Sequence, residues 1–152
     1  MPSINTRQAL LADLEAVVPL FDAYRQFYGK VSDVDNARRF LRERFEHGQS
    51  TLFIAEDSEG RAVGFTQLYP SFSSAAMARI YVLNALFVAP AARKQGVGEA
   101  LLRAAADHAR ALGAVRLSLS TALTNSTAQA LYERTGWQRD QVFCAYTLAL
   151  PA

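Results

Sequence analysis

The segment Arg93-Lys94-Gln95-Gly96-Val97-Gly98 is the part of the chain whose residue types and spacing point most directly to chemistry. It lies between a predicted strand and a strongly patterned helix. Glycines let the backbone turn with unusual dihedrals and approach a ligand without a Cβ in the way. The unbonded N–H groups of the helix start, with the positive end of its dipole, then make an anion site. Arg93 and Lys94 add positive charge at the edge of the loop. Such a cradle suits a diphosphate better than a lone carboxylate. A dinucleotide fingerprint would place a third glycine near Leu101, and a Walker-type loop would place Lys-Ser/Thr after its last glycine. Neither is present. The same residues also fit a tight strand-to-helix turn with solvated basic side chains.

Other reactive residue types have plainer readings. His47 falls at a predicted helix end and reads as a cap. His108 lies on the helix after the glycines and reads as solvated. Cys144 sits in the last predicted strand pair, without His or Asp context, and reads as buried. No spacing of His, Cys, Asp and Glu suggests a metal site, so no metal is expected.

The elements that must position the glycine loop follow from hydrophobic period. Residues 4–8 read as a short polar strand and residues 13–28 as a helix, with Leu14, Val17, Val18, Phe21 and Tyr24 at helical spacing. Pro19 is expected to kink that helix by removing one backbone donor. A second helix runs from residue 33 or 34 to 47, with Ala37, Phe40, Leu41 and Phe45 inward and Gly48 as its stop. Residues 52–55 and 62–69 read as an antiparallel pair around the polar turn 57–60. Residues 70–74 read as a loop with an exposed Phe72, and residues 79–88 as a long strand. A helix at 98–112, a strand at 115–120 and a helix at 126–135 follow, the last with a Ser126/Gln129 capping box. Residues 137–148 read as two final strands with a break near Asp140. The result is a mixed α/β (α+β) fold in one domain over residues 1–152, a mostly antiparallel sheet flanked by helices.

Asn84-Ala85-Leu86-Phe87-Val88 precedes the glycine loop, and the run from Asn125 through Tyr132 to Gly136-Trp137 follows one crossover later. Together with the order of elements, these resemble the GNAT superfamily of N-acetyltransferases across essentially the whole chain. Arg93-x-x-Gly96-x-Gly98 matches that family's Arg/Gln-x-x-Gly-x-Gly/Ala pyrophosphate loop. Tyr24-Arg25-Gln26-Phe27-Tyr28 and residues 80–88 look most like the histone/polyamine acetyltransferase-like branch.

The resemblance implies an acetyl-CoA-dependent N-acetyltransferase in which a primary amine attacks directly in a ternary complex. Acetyl-CoA would lie in a splay between two central parallel strands, those at 79–88 and 115–120. The backbone of Phe87 and Val88 would pair with the pantetheine arm like an added strand. Beside Arg93 and Lys94, the N–H groups of Gln95, Gly96, Val97, Gly98 and Glu99 would hold the pyrophosphate. Asn125 and Ala128 would lie along the pantetheine. Tyr132 matches the family's general acid, a phenol that stays protonated at neutral pH and can protonate the departing thiolate. It also reads as an aromatic packed beside Leu131 and Trp137. Many relatives carry a carboxylate on the strand before the loop, where Asn84 and Ala85 stand here, so the base is unassigned. Tyr28, Tyr69, Tyr81 and Asn84 are candidate acceptor-pocket residues, and each tyrosine also reads as ordinary packing. The missing carboxylate favours the alternative of a noncatalytic acyl-CoA-binding or regulatory module on the same fold.

Composition bounds the remaining classes. A chain of 152 residues, 51% hydrophobic and 20% charged, fits one globular domain. A single cysteine excludes an internal disulfide framework. No apolar run reaches the roughly 18 residues of a membrane span. A net charge of +2 gives no basic stripe for nucleic acid. The first residues combine Arg7 with Asp13 and Glu15 and lack a small-residue cleavage site, so they do not read as a signal peptide. The expected setting is cytoplasmic, with a small-molecule or peptide amine as partner. A homodimer is expected from apolar Phe143, Tyr146 and Leu148 near the C-terminus.

Overall fold

The computed structural model describes residues 3–152, which pack as two compact units, one ending at Ser120 and the other covering Thr121–Ala152. In the first unit β1 (Asn5–Gln8) leads into α1 (Leu14–Phe27) and α2 (Val34–Glu46). Then come β2 (Thr51–Glu56), β3 (Ala62–Ser73), β4 (Ala78–Val88), α3 (Val97–Ala111) and β5 (Leu117–Ser118). The strands form one sheet in the order β1-β2-β3-β4-β5, antiparallel throughout except for the parallel β4–β5 pair. That parallel ladder is short. It pairs Tyr81 with Leu117 and Val82 with Ser118, and β4 runs on to Val88 without further pairing on that side among the described residues.

Helices cover both faces of the sheet. Leu14, Val17, Val18, Leu20 and Phe21 of α1 and Ala37 and Leu41 of α2 are buried with Leu52, Ile54, Phe65, Ala85 and Phe87 of the sheet. At roughly 1.5–3 kcal/mol for each fully buried large side chain, this cluster is the main source of stability for that face. The stripe Val97, Leu101, Leu102, Ala105 and Ala109 of α3 is buried on the other face. Local chemistry sets the helix ends. Asp33 caps α2 by accepting the Asn36 N–H, and His47 is its C-terminal cap. Helix α1 continues through Pro19 to Phe27.

Three expectations are corrected in this unit. Residues 70–73 are not a loop: β3 extends through Pro70, opposite Tyr81, to Ser73, opposite Ala78. Pairing of β3 with β2 stops at Leu68, so the proline lies where its strand has a neighbour on one side only and no donor is needed on the other. Phe72 is exposed on this strand. The strand expected at 115–120 contracts to Leu117–Ser118. His108 is not solvated: its ring stands edge-on to Phe53 and Tyr81, at 5.4 and 5.7 Å between centroids.

The second unit holds α4 (Ser126–Arg134). Its cap is Asn125, whose Oδ1 accepts the Ala128 N–H, and not Ser126. Gln129 donates backward to the carbonyls of Ala122 and Leu123, so no capping box forms. Residues 137–152 contain no strand. Asp140 instead closes a local turn by accepting the N–H groups of Val142 and Phe143. Val142, Phe143, Tyr146 and Leu148 are exposed, and so is Cys144, which was expected to be buried. A β-rich composition makes a strand only where a neighbour completes its ladder and covers one face.

His108 generates a prediction about acid stability. Its Nε2 is buried and has no hydrogen-bond partner among the described residues, and burial lowers the imidazole below its usual pKa of 6.5. As the pH falls below that value the unfolded chain takes a proton that the folded chain refuses, so stability drops through the folded pKa. The urea midpoint of the wild type should therefore fall further between about pH 7.5 and about pH 5.5 than that of His108→Leu. Equal falls in the two proteins would mean that the ring titrates as if in water.

Candidate active site

The turn from β4 into α3 carries the predicted anion cradle. A 3-10 turn at Pro90–Ala92 ends β4, and Arg93 follows in extended conformation. Lys94 and Gly96 then take left-handed backbone, with φ of 62° and 81°. Lys94 adopts this without a glycine's freedom, so the loop holds local strain of the kind found at ligand-binding turns. Gly96 is the N-cap of α3 and offers no side-chain cap. The first helical bond runs from the Ala100 N–H to the Gly96 carbonyl. The N–H groups of Val97, Gly98 and Glu99 precede it and have no carbonyl within the helix to serve. An ideal Cβ at Gly96 meets nothing within 4 Å, so the surface above the cradle is open.

Arg93, Lys94 and Gln95 are exposed around this turn. Arg93 Nε donates to the Val88 carbonyl at 3.0 Å, and its guanidinium lies 5.6 Å from the Phe87 ring centroid. Gln95 reaches the Ala91 carbonyl weakly, at 3.4 Å, and Glu99 pairs with Arg103 at 3.5 Å. The arrangement is a strand end followed by a ring of amides under a cationic rim. A diphosphate fits it by charge and by donor geometry.

The second feature is a bulge in β4. Gln67 pairs with Ala85 and Leu68 with Leu83, so Asn84 is an extra residue without an opposite number. Leu83 and Ala85, two apart, consequently face opposite sides of the sheet. Two hydroxyls serve carbonyls around the bulge. Tyr24 of α1 donates to the Asn84 carbonyl at 3.0 Å, and buried Thr66 of β3 donates to the Ala85 carbonyl at 2.8 Å. The Asn84 side chain is exposed.

The structure sorts the predicted acceptor residues. Tyr28, 47% exposed, follows α1 and packs on Tyr24 at 5.1 Å between centroids. Tyr69, opposite Val82, shares the face of β3 that carries Phe65 and Gln67, the side covered by α1 and α2. Burial raises its phenol above the usual value, against a smaller opposing pull from Arg44. Tyr81 is only 3% exposed and packs against His108 on the α3 face. Tyr24, Tyr28, Tyr69 and Asn84 thus belong to the helix-α1 side, and Tyr81 does not. Among the described residues no group of His, Cys, Asp or Glu could hold a metal ion, and no helix is long and apolar enough to cross a membrane.

In the second unit, Tyr132 stands on α4, half-buried, with its ring 6.0 Å from that of Trp137. Its carbonyl accepts the N–H groups of Trp137 and Thr135, which fixes the exit of the helix. Asn125 is committed to the cap, and Ala128 is the residue whose N–H it receives.

Two residues with large consequences had no local sequence signal. Asp22 of α1 is 4% exposed and accepts from Ser32 Oγ at 2.6 Å, the Asp33 N–H at 2.8 Å and Gln26 Nε2 at 3.0 Å. These bonds, led by Ser32, hold its carboxyl below the ordinary range and tie down the connection that carries Tyr28. Gly64 of β3 lies under the first turn of α3. A Cβ there would sit 3.0 Å from the Phe87 carbonyl and from Val97 Cγ1, and 3.2 Å from Leu101 Cδ1.

Comparison with known proteins agrees with this geometry. Residues 17–137 match the Acetyltransferase (GNAT) family. The chain is 48% identical over 149 residues to the uncharacterized N-acetyltransferase YhfO of Bacillus subtilis (strain 168), covering 98% of this chain and 99% of that one. The crystal structure of a probable acetyltransferase, 42% identical, superposes with a TM-score of 0.92 over 97% of this chain and 99% of the other. An aminoglycoside N-acetyltransferase solved with CoA shares the fold, with a TM-score of 0.81 at 20% identity over 99% of this chain and 97% of that one. The protein belongs to the GNAT family, whose members use acetyl-CoA. It is an N-acetyltransferase.

The Gly64 contact sets a test of how the cradle is held. Gly64→Val places extra atoms against a backbone carbonyl and two core side chains, an overpacking worth about 1–3 kcal/mol. Urea unfolding should show a loss of that size with an unchanged m-value. A fully stable variant would mean that α3 can lift from the sheet at no cost.

Proposed function

We propose that the protein transfers an acetyl group from acetyl-CoA to a primary amine by direct attack in a ternary complex. The carrying observation is the cradle itself, with its left-handed Lys94 and Gly96 and the three amides of Val97, Gly98 and Glu99 that precede the first helical bond. When bound, acetyl-CoA supplies a thioester: the amine nitrogen forms the new C–N bond, the C–S bond breaks, and the thiolate leaves and takes a proton. The amides of residues 95–99 would hold the pyrophosphate, with Arg93 and Lys94 balancing its charge. Phe87 and Val88, paired with β3 but beyond the short β5 ladder, would present backbone to the pantetheine arm, with Arg93 releasing the Val88 carbonyl. Asn125 and Ala128 follow as pantetheine neighbours by family resemblance, and Tyr132 as the proton donor to sulfur. Tyr28, Tyr69 and Asn84 would shape the acceptor side, and Tyr81 would support the sheet from beneath. The exposed Phe143, Tyr146 and Leu148 support a homodimer in which a second copy covers them. The noncatalytic alternative rests on the residues at 84 and 85, neither of which is a carboxylate.

Two variants measured side by side separate binding from chemistry. Gly98→Val should weaken acetyl-CoA binding strongly in calorimetry, since a branched side chain enters the first turn of the cradle, while the circular dichroism spectrum stays native. Tyr132→Phe keeps the ring and removes the proton, so single-turnover acetyl transfer should fall at least about tenfold with acetyl-CoA affinity nearly unchanged. Equal single-turnover rates would return Tyr132 to packing alone. Unchanged affinity in Gly98→Val would remove the pyrophosphate from the cradle.

A further inference from the structure

We propose that Arg44 selects the acceptor by pairing with an anionic group on it, so that the preferred substrate is an amine that also carries a carboxylate or a phosphate. The inference rests on the acetyl-transfer reading and names the substrate class of that same site.

Arg44 stands in the last turn of α2, with its side chain 19% exposed. Its guanidinium carbon lies 4.3 Å from the centroid of the Phe40 ring, which stacks on Phe21 at 5.8 Å. Phe21 in turn packs on Tyr24, the residue that donates to the carbonyl of the Asn84 bulge. A second chain of contacts leads to the same place. Arg44 Nε donates to Gln49 Oε1 at 2.8 Å, and the next residue, Ser50, accepts from Gln67 Nε2 at 3.1 Å. Gln67 and Tyr69 share one face of β3 on either side of the bulge register. Arg44 also acts electrostatically on the Tyr69 hydroxyl. Both chains of contacts, from the helices and from the sheet, bring the cation to the acceptor side.

The donors of Arg44 are only partly used. Of the five N–H groups of a guanidinium, Nε serves Gln49 and Nη2 serves Glu43 at 3.2 Å. Glu43 is the adjacent residue and half-exposed, and such surface pairs are weak and salt-screened. Asp22, the buried anion on this side, is saturated by its three hydrogen bonds and does not compete for the guanidinium. A largely buried cation with spare donors, fixed on an aromatic face, matches the fork geometry by which arginine reads carboxylates and phosphates.

The test compares matched acceptors in acetyl-CoA consumption assays at equal free-base concentration. One pair is a dipeptide with a free or an amidated C-terminus, and the other is O-phosphorylethanolamine against ethanolamine. The wild type should prefer the anionic member of at least one pair by about tenfold or more in kcat/KM, and the pair that shows it identifies the anion. Arg44→Gln should bring that ratio to near unity, and Arg44→Lys should keep part of it. A ratio is insensitive to the amount of folded protein, and a merely structural arginine would lower both members equally and leave it unmoved. That result, or a wild type that uses the neutral amines equally well, overturns the proposal and leaves acetyl transfer standing. Bound acetyl-CoA in calorimetry with no acceptor consumed in either pair would instead count against the transferase reading, and the proposal would fall with it.

Discussion

The architecture of the cradle depends on one close approach, that of the first turn of α3 to β3 at Gly64. Hydrophobic packing brings Val97 and Leu101 onto the sheet, but only a residue without a side chain lets them come this close, because a Cβ at Gly64 would press on both of them and on the Phe87 carbonyl. The approach determines where the helix starts relative to the end of β4. With that start fixed, the amides of Val97, Gly98 and Glu99 stand just beyond Val88, and the short left-handed turn through Lys94 and Gly96 is the path that remains for the chain. The exposed start of α3 thus follows from packing on the opposite side of the helix.

The opposite face is organised by polar bonds within an apolar layer. The cluster around Phe21, Phe65 and Leu41 supplies the energy, but non-directional burial would accept many helix positions. Tyr24 and Asp22 remove that freedom by meeting defined partners. Each bond contributes about 0.5–1.5 kcal/mol net, and leaving a buried group unserved costs about 1–3 kcal/mol, so a misplaced helix is penalised more than the right one is rewarded. The placement of α1 over the bulge is specified by that asymmetry.

The sequence was most legible where its signals are local. The glycine loop, the cap at His47 and most of the helical stripes depend on neighbours within one turn, and the structure has them in place, although Phe40, expected inward, is exposed. What was hidden depends on distant partners. Nothing near Asn84 distinguishes an extra residue from a paired one, because register is a property of two strands. Pro70 breaks a strand by local rules, yet stands in β3 because β2 has already ended. Val142, Phe143 and Tyr146 have strand composition without a ladder, and Asp140 competes with a turn. Ser126 and Asn125 are both good caps, and only the observed Asn125–Ala128 bond decides between them. His108 looked solvated because a helix position alone says nothing of Phe53 and Tyr81 on the sheet beneath it.

The bulge at Asn84 also acts on the chain as a parity switch. Residues of β4 before it present their even-numbered side chains to the α1–α2 side, as Val82 does beside Tyr69, and residues after it present their odd-numbered ones, as Ala85 and Phe87 do. Losing that one residue would leave both halves facing as they do, because Leu83 and Ala85 would become neighbours in a regular ladder. Losing any paired residue instead would turn one half of β4 inside out relative to the other, moving Phe87 or Val82 to the wrong face. Apart from the bulge itself, length change along this strand is therefore tolerable only in compensating pairs or beyond its ends, at the turn before Ala78 and the 3-10 segment after Val88. Among relatives that keep this sheet, the spacing from that turn to the glycine loop should vary less than the residues that fill it.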